Sequence, residues 1–87
     1  MTGVIDLCHN AAHPIVVKGT AQRLMDRLYA VCVEPTTLRH IMPTIEFCYL
    51  SLFDETHEQS ETALLSRVNS IDAKQGLIFI EVLYYGE

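Results

Sequence analysis

Cys8, His9 and His13 lie in one short stretch of an 87-residue chain, and a thiolate with two imidazoles is a donor set that suits zinc. The same side chains suit a second chemistry, because an imidazole that takes the proton of a nearby thiol leaves a nucleophilic thiolate. A small metal- or thiol-dependent enzyme using Cys8, His9 and His13 is therefore one of two functions that the sequence offers. Geometry stands against it. Adjacent residues of an extended segment point to opposite faces, so Cys8 and His9 do not both reach one ion from a strand. A fourth ligand would have to come from His40, Cys48 or His57 through a contact that no local spacing specifies, and no C-x-x-C doublet is present. The commoner arrangement of such residues, a buried Cys8 beside two solvated loop histidines, holds no metal and no cofactor. Cys32 and Cys48 are set among apolar residues, where a free thiol packs as a small hydrophobe and is inert.

The other concentration of charged side chains is acidic. Asp54, Glu55, Glu58 and Glu61 fall in the only long polar stretch, 54–61, which reads as a loop by composition. Net charge is −5 and unevenly spread: residues 1–43 sum to +1 and residues 44–87 to −6. An acidic half of this kind argues against nucleic-acid binding and suits a basic protein partner, whose approach it would accelerate through long-range attraction. There is no phosphate-binding loop, dinucleotide fingerprint, paired-histidine zinc helix or serine elbow. The leading expectation is thus a non-catalytic protein-interaction module, such as a small acidic regulator, inhibitor or immunity-type protein, with Asp54, Glu55, Glu58 and Glu61 as its partner-binding residues.

These side chains need a scaffold, and the segment from Thr62 to Tyr85 supplies its clearest part. Leu77 to Tyr85 is a nearly unbroken apolar run rich in β-branched and aromatic residues, so it reads as a strand buried on both faces. Asp72-Ala73-Lys74-Gln75-Gly76 forms the turn before it, with Asp to open and Gly to close, and pairs the strand with Thr62–Ile71. Thr44–Phe53 also alternates, although both it and residues 60–70 keep a helical period as an alternative. Upstream, Val4–Cys8 and Pro14–Lys18 are short strand-like runs. Gly19-Thr20 then breaks the chain and caps an amphipathic helix from Ala21 to about Val33, with Leu24, Met25, Leu28, Val31 and Cys32 on one face. Glu34-Pro35 ends that helix, and a short second one follows from Pro35 or Thr36 to Met42. The expected fold class is α+β: a small antiparallel sheet, a three-stranded meander at its C-terminal end, covered by one main amphipathic helix and a short second helix.

Length permits one compact domain, 1–87, near the lower limit for a self-sufficient core. No apolar stretch is long enough to span a bilayer, and Met1–Leu7 does not resemble a secretory signal. Three cysteines cannot all pair within one chain, which with these features points to reduced, mostly buried thiols and a cytoplasmic location. Val16-Val17-Lys18-Gly19-Thr20 followed by the amphipathic stretch resembles the start of the N-terminal module of Ras-type exchange factors; the sequence beyond does not follow that all-helical module. A strand needing cover on two faces, with one helix to supply it, implies a homodimer whose contacts include Leu83 and Tyr85. Elemental analysis of tag-free protein separates the two functions: an interaction module carries less than about a tenth of an equivalent of metal and melts at the same temperature in chelator, whereas a zinc enzyme fails both tests.

Overall fold

Large apolar side chains recur at every second position through most of the chain, and the computed structural model, which describes residues 1–7, 15–41, 47–53 and 63–84, shows why. Among the described residues six strands form: β1 (Thr2–Leu7), β2 (Ile15–Met25), β3 (Leu28–Cys32), β4 (Phe47–Phe53), β5 (Ala63–Asp72) and β6 (Leu77–Tyr84), with the helix α1 (Pro35–Ile41) between β3 and β4. All neighbouring strands are antiparallel, and the order β1-β2-β3-β6-β5-β4 closes into a barrel through the pairing of β4 with β1. One side-chain set of each strand fills the interior. Ile5, Val17, Ala21 and Val31 meet Leu50, Ile78, Ile80 and Val82 there. A barrel of this size is packed with side chains and leaves no channel.

The protein is therefore a nearly all-β barrel and not an α+β fold. The main amphipathic helix expected over Ala21–Val33 is absent: this stretch is the second half of β2, a two-residue turn at Asp26-Arg27, and β3. Tyr29, Val31 and Val33 point into the core at a period of two, while Leu24, Met25 and Cys32 are exposed. Cys32 is thus a surface thiol, whereas Cys48 is buried. Gly19, expected as a break, lies inside β2, where an added Cβ would strike the carbonyl oxygen of Cys32 and Val33 Cγ1. Its role is close approach of two strands.

Downstream, β4, β5 and β6 pair in succession. The β5–β6 turn is held by Asp72, whose Oδ1 accepts from the backbone N–H groups of Lys74 (3.1 Å) and Gln75 (3.2 Å). Gly76 closes it with φ of 73°, and its carbonyl accepts from Val33 N at 2.7 Å. Pro35 opens α1, as its fixed φ and missing N–H allow, and Glu34 O accepts from Thr37 N at 3.0 Å. β3 and β4 lie on opposite sides of the ring, so the α1 connection crosses one end of the barrel, and Leu38 is fully buried. Among the described residues no helix is long and apolar enough to cross a membrane.

β6 does not need two covered faces. Ile78, Ile80 and Val82 enter the core, but Leu83 is 39% exposed and Glu81 lies on the outer wall. Denaturant unfolding should reflect this division. Leu50→Ala is expected to cost about 2–5 kcal/mol through a cavity, and Leu83→Asp about 1 kcal/mol or less. Gly76→Ala should cost about 1–3 kcal/mol, because an alanine there is strained at positive φ and its Cβ meets the carbonyl oxygen of Val33.

Candidate functional site

Strand register arranges the outward side chains into rows that cross the wall. Asp6 is opposite Val16 and Tyr49, Tyr49 is opposite Leu65, and Leu65 is opposite Tyr84. Four of these five are exposed large apolar groups: Val16, Tyr49, Leu65 and Tyr84. Between Val16 and Tyr49, Asp6 Oδ1 is buried and has no hydrogen-bond partner among the described residues. The row beside it is mixed in character. Phe47 is opposite Arg67, Arg67 opposite Glu81, Glu81 opposite Leu28, and Leu28 opposite Met25. Arg67 bonds to Glu81 across the β5–β6 ladder, with both side chains part exposed.

Among the described residues three register shifts of β-bulge type shape the end of this wall nearest the β2–β3 turn. Arg23 pairs with Tyr29 and Met25 with Leu28, so Leu24 has no residue opposite. Val68 pairs with Ile80 and Ser70 with Phe79, which leaves Asn69 extra on β5. Leu65 pairs with Tyr84 and Ser66 with Val82, which leaves Leu83 extra on β6. A bulge re-aims the side chain it carries and bends its strand. All three of these residues are exposed.

Between the bulges lies an open cleft of about 360 Å³ lined by Met25, Asp26, Arg27, Leu28, Asn69 and Glu81. The turn that forms one side is pinned: Arg23 Nη2 donates to Asp26 Oδ1 at 2.9 Å, and Arg27 O accepts from Val82 N at 2.8 Å. Arg27 Nη1 donates to Leu83 O at 3.4 Å, so its side chain is drawn along the bulge of β6.

Of the residues singled out from the sequence, Leu83 belongs to this region. Cys8, His9 and His13, the acidic Asp54, Glu55, Glu58 and Glu61, and Tyr85 lie outside the described residues. Among the described residues no group of three or more His, Cys, Asp or Glu side chains is placed to hold a metal. Sequence reasoning missed Tyr49, Leu65 and the turn at Asp26-Arg27. The signal for Tyr49 was present: Thr44–Phe53 is apolar on both alternating faces, and one core can absorb only one of them. Comparison with protein-family models, with curated proteins and with solved structures yields no match.

The Arg67–Glu81 pair positions the mixed row but contributes little to stability, because both partners retain water. A double-mutant cycle of Arg67→Ala and Glu81→Ala should return a coupling of about 0.2–1 kcal/mol that shrinks in high salt. A coupling several-fold larger would mean that the row is desolvated in the free protein.

Proposed function

We propose that this chain is a non-catalytic protein-interaction module that acts by laying its outer barrel wall against a partner. The observation that carries the reading is the cross-strand row of exposed Tyr49, Leu65 and Tyr84, continued by Phe47 and Leu83. Scattered apolar residues are ordinary on a surface; aromatic and aliphatic side chains aligned by register over three adjacent strands form a contiguous patch, which is the usual composition of an interface centre. Tyrosines suit the task, since each offers a large apolar ring and a polar tip at a small entropic cost.

Charge adds a division of labour. The apolar wall holds the partner by burial, while the acidic residues Asp54, Glu55, Glu58 and Glu61 draw in a basic surface from a distance. In this role the chain is a small acidic regulator or inhibitor that blocks what it covers. A second copy is one candidate for the surface laid on the wall.

Two measurements test the reading. The Tyr49→Ser, Leu65→Ser, Tyr84→Ser triple variant should keep the circular dichroism spectrum of the wild type and lose about tenfold or more in affinity for a bound partner, or dissociate a dimer in sedimentation equilibrium. A triple variant that binds and associates as the wild type does would remove the wall from the function. Alanine at Asp54, Glu55, Glu58 and Glu61 should slow association and flatten its salt dependence while leaving dissociation nearly unchanged.

A further inference from the structure

The seam between β5 and β6 has an outer surface that is its own complement. Three rows of the ladder place Leu65 beside Tyr84, Arg67 beside Glu81 and Ser70 beside Phe79. Leu65 and Tyr84 are exposed large apolar groups, and the bulge residue Leu83 adds a third. Arg67 and Glu81 form an ion pair in which both side chains keep water. One cation and one anion leave these rows with no net sign, so they favour neither an acidic nor a basic partner.

A two-fold axis running along the seam turns each of these rows end for end. Leu65 then faces Tyr84 of the second copy and Arg67 faces Glu81 of the second copy, and each contact is made twice. A two-fold interface requires such a surface, one that complements itself after rotation. Charge also fixes the direction of the axis. Laid across the strands, along the Arg67–Glu81 row, it would set guanidinium on guanidinium and carboxylate on carboxylate. The pair inside each chain survives the contact, because a guanidinium carries five donors in a planar fork and a carboxylate accepts at two oxygens. Four charges of alternating sign result. Strand order puts β5 and β6 at the centre of the contact and β4 and β3 at its rim, since a closed ring curves away on either side.

We propose that the partner laid on the wall is a second copy of this chain, joined to the first across the β5–β6 seam by apolar contacts at Leu65, Leu83 and Tyr84 and by Arg67–Glu81 pairs between the copies. The assignment rests on the interaction-module reading and deepens it. The net charge of −5 on each copy opposes approach at long range. That repulsion is largely screened beyond about 8 Å at physiological ionic strength, while pairs covered by the contact are screened much less. Two convex walls meet over a narrow strip, which places the dimer at the weak end of specific association, with dissociation in the micromolar range.

Sedimentation equilibrium of the full chain at about 0.15 M salt tests the assignment through charge reversals. The wild type is expected to show a monomer–dimer equilibrium. Arg67→Glu leaves two carboxylates on each seam and Glu81→Arg two guanidiniums, so either variant alone should dimerise at least about tenfold more weakly. Mixed in equal amounts, the two should dimerise again to within about threefold of the wild type, because each seam then meets the opposite sign. Arg67→Glu and Glu81→Arg in one chain keep the pair in reversed sense, and that double variant should dimerise as the wild type does. Lys18→Glu makes the same charge change as Arg67→Glu on β2, which stands across the ring from β5, and should alter dimerisation by less than about twofold. Because an exposed pair contributes little to stability, all these variants should keep the wild-type circular dichroism spectrum. A monomeric wild type, a single variant that dimerises undiminished, a mixture or a double variant that stays monomeric, or a Lys18→Glu effect equal to that of Arg67→Glu would each overturn the assignment. A monomeric wild type with wall-dependent binding of another protein removes the second copy alone, whereas Tyr49, Leu65 and Tyr84 variants without effect remove the wider reading.

Discussion

Closure of the sheet depends on two ladders between distant parts of the chain, β1 with β4 and β3 with β6. Each joins the meander β1-β2-β3 to the meander β6-β5-β4, and with both in place every strand has a neighbour on each side. The physical gain is twofold. Among the described residues no row of backbone N–H and C=O groups is left along an open sheet edge, and a chain of this size obtains an enclosed core from one curved sheet without needing a second layer. The α1 connection, with Leu38 buried beneath it, crosses one end. Close contact between strands also explains the small residues. Gly19 lies against the backbone of Cys32, and a Cβ at Gly3 would stand 2.9 Å from that of Ala21.

An enclosed core divides every strand into an inner and an outer face, and the proposed site is a consequence of what the outer face carries. Interior volume is limited, so apolar residues beyond its capacity remain on the wall. Tyr49, Leu65 and Tyr84 fall into one row because the registers of β4, β5 and β6 bring them opposite one another. The bulges then give that surface relief. Without them Leu24, Asn69 and Leu83 would sit in regular alternation, and the turn at Asp26-Arg27 would meet a flatter wall.

Much of the C-terminal half was legible in the sequence. The apolar run Leu77–Tyr85, the Asp72–Gly76 turn and the alternation of Thr44–Phe53 led to β6, its turn and β4, because each signal is local. The stretch Ala21–Val33 was misread for an identifiable reason. Leu24, Met25, Leu28, Val31 and Cys32 satisfy a 3.6-residue period, while Tyr29, Val31 and Val33 satisfy a period of two. The residues that join β2 to β3 are Asp26 and Arg27, a turn without glycine or asparagine, so nothing in composition announced a hairpin. Gly19 looked like a boundary but lies inside β2, where it allows close approach to the backbone of Cys32 in β3. The cleft was illegible in the sequence, since Met25, Asn69 and Glu81 are brought together by non-local strand pairing and its interruptions, which a one-dimensional pattern does not encode.

The position of β6 in the ring bears on how the molecule comes into being. Synthesis runs from the N-terminal side, so the strand that must fit between β3 and β5 is made after the other five described strands. Until it arrives, both neighbours expose an unpaired edge, and the ladder joining Leu28 to Glu81 waits on residues more than half the chain apart. Such non-local pairing slows folding and prolongs the interval in which an open edge can recruit another chain. The Asp72-centred turn shortens that interval. By setting β6 against β5 locally, it leaves a single search, for β3, between a nascent open sheet and the closed ring.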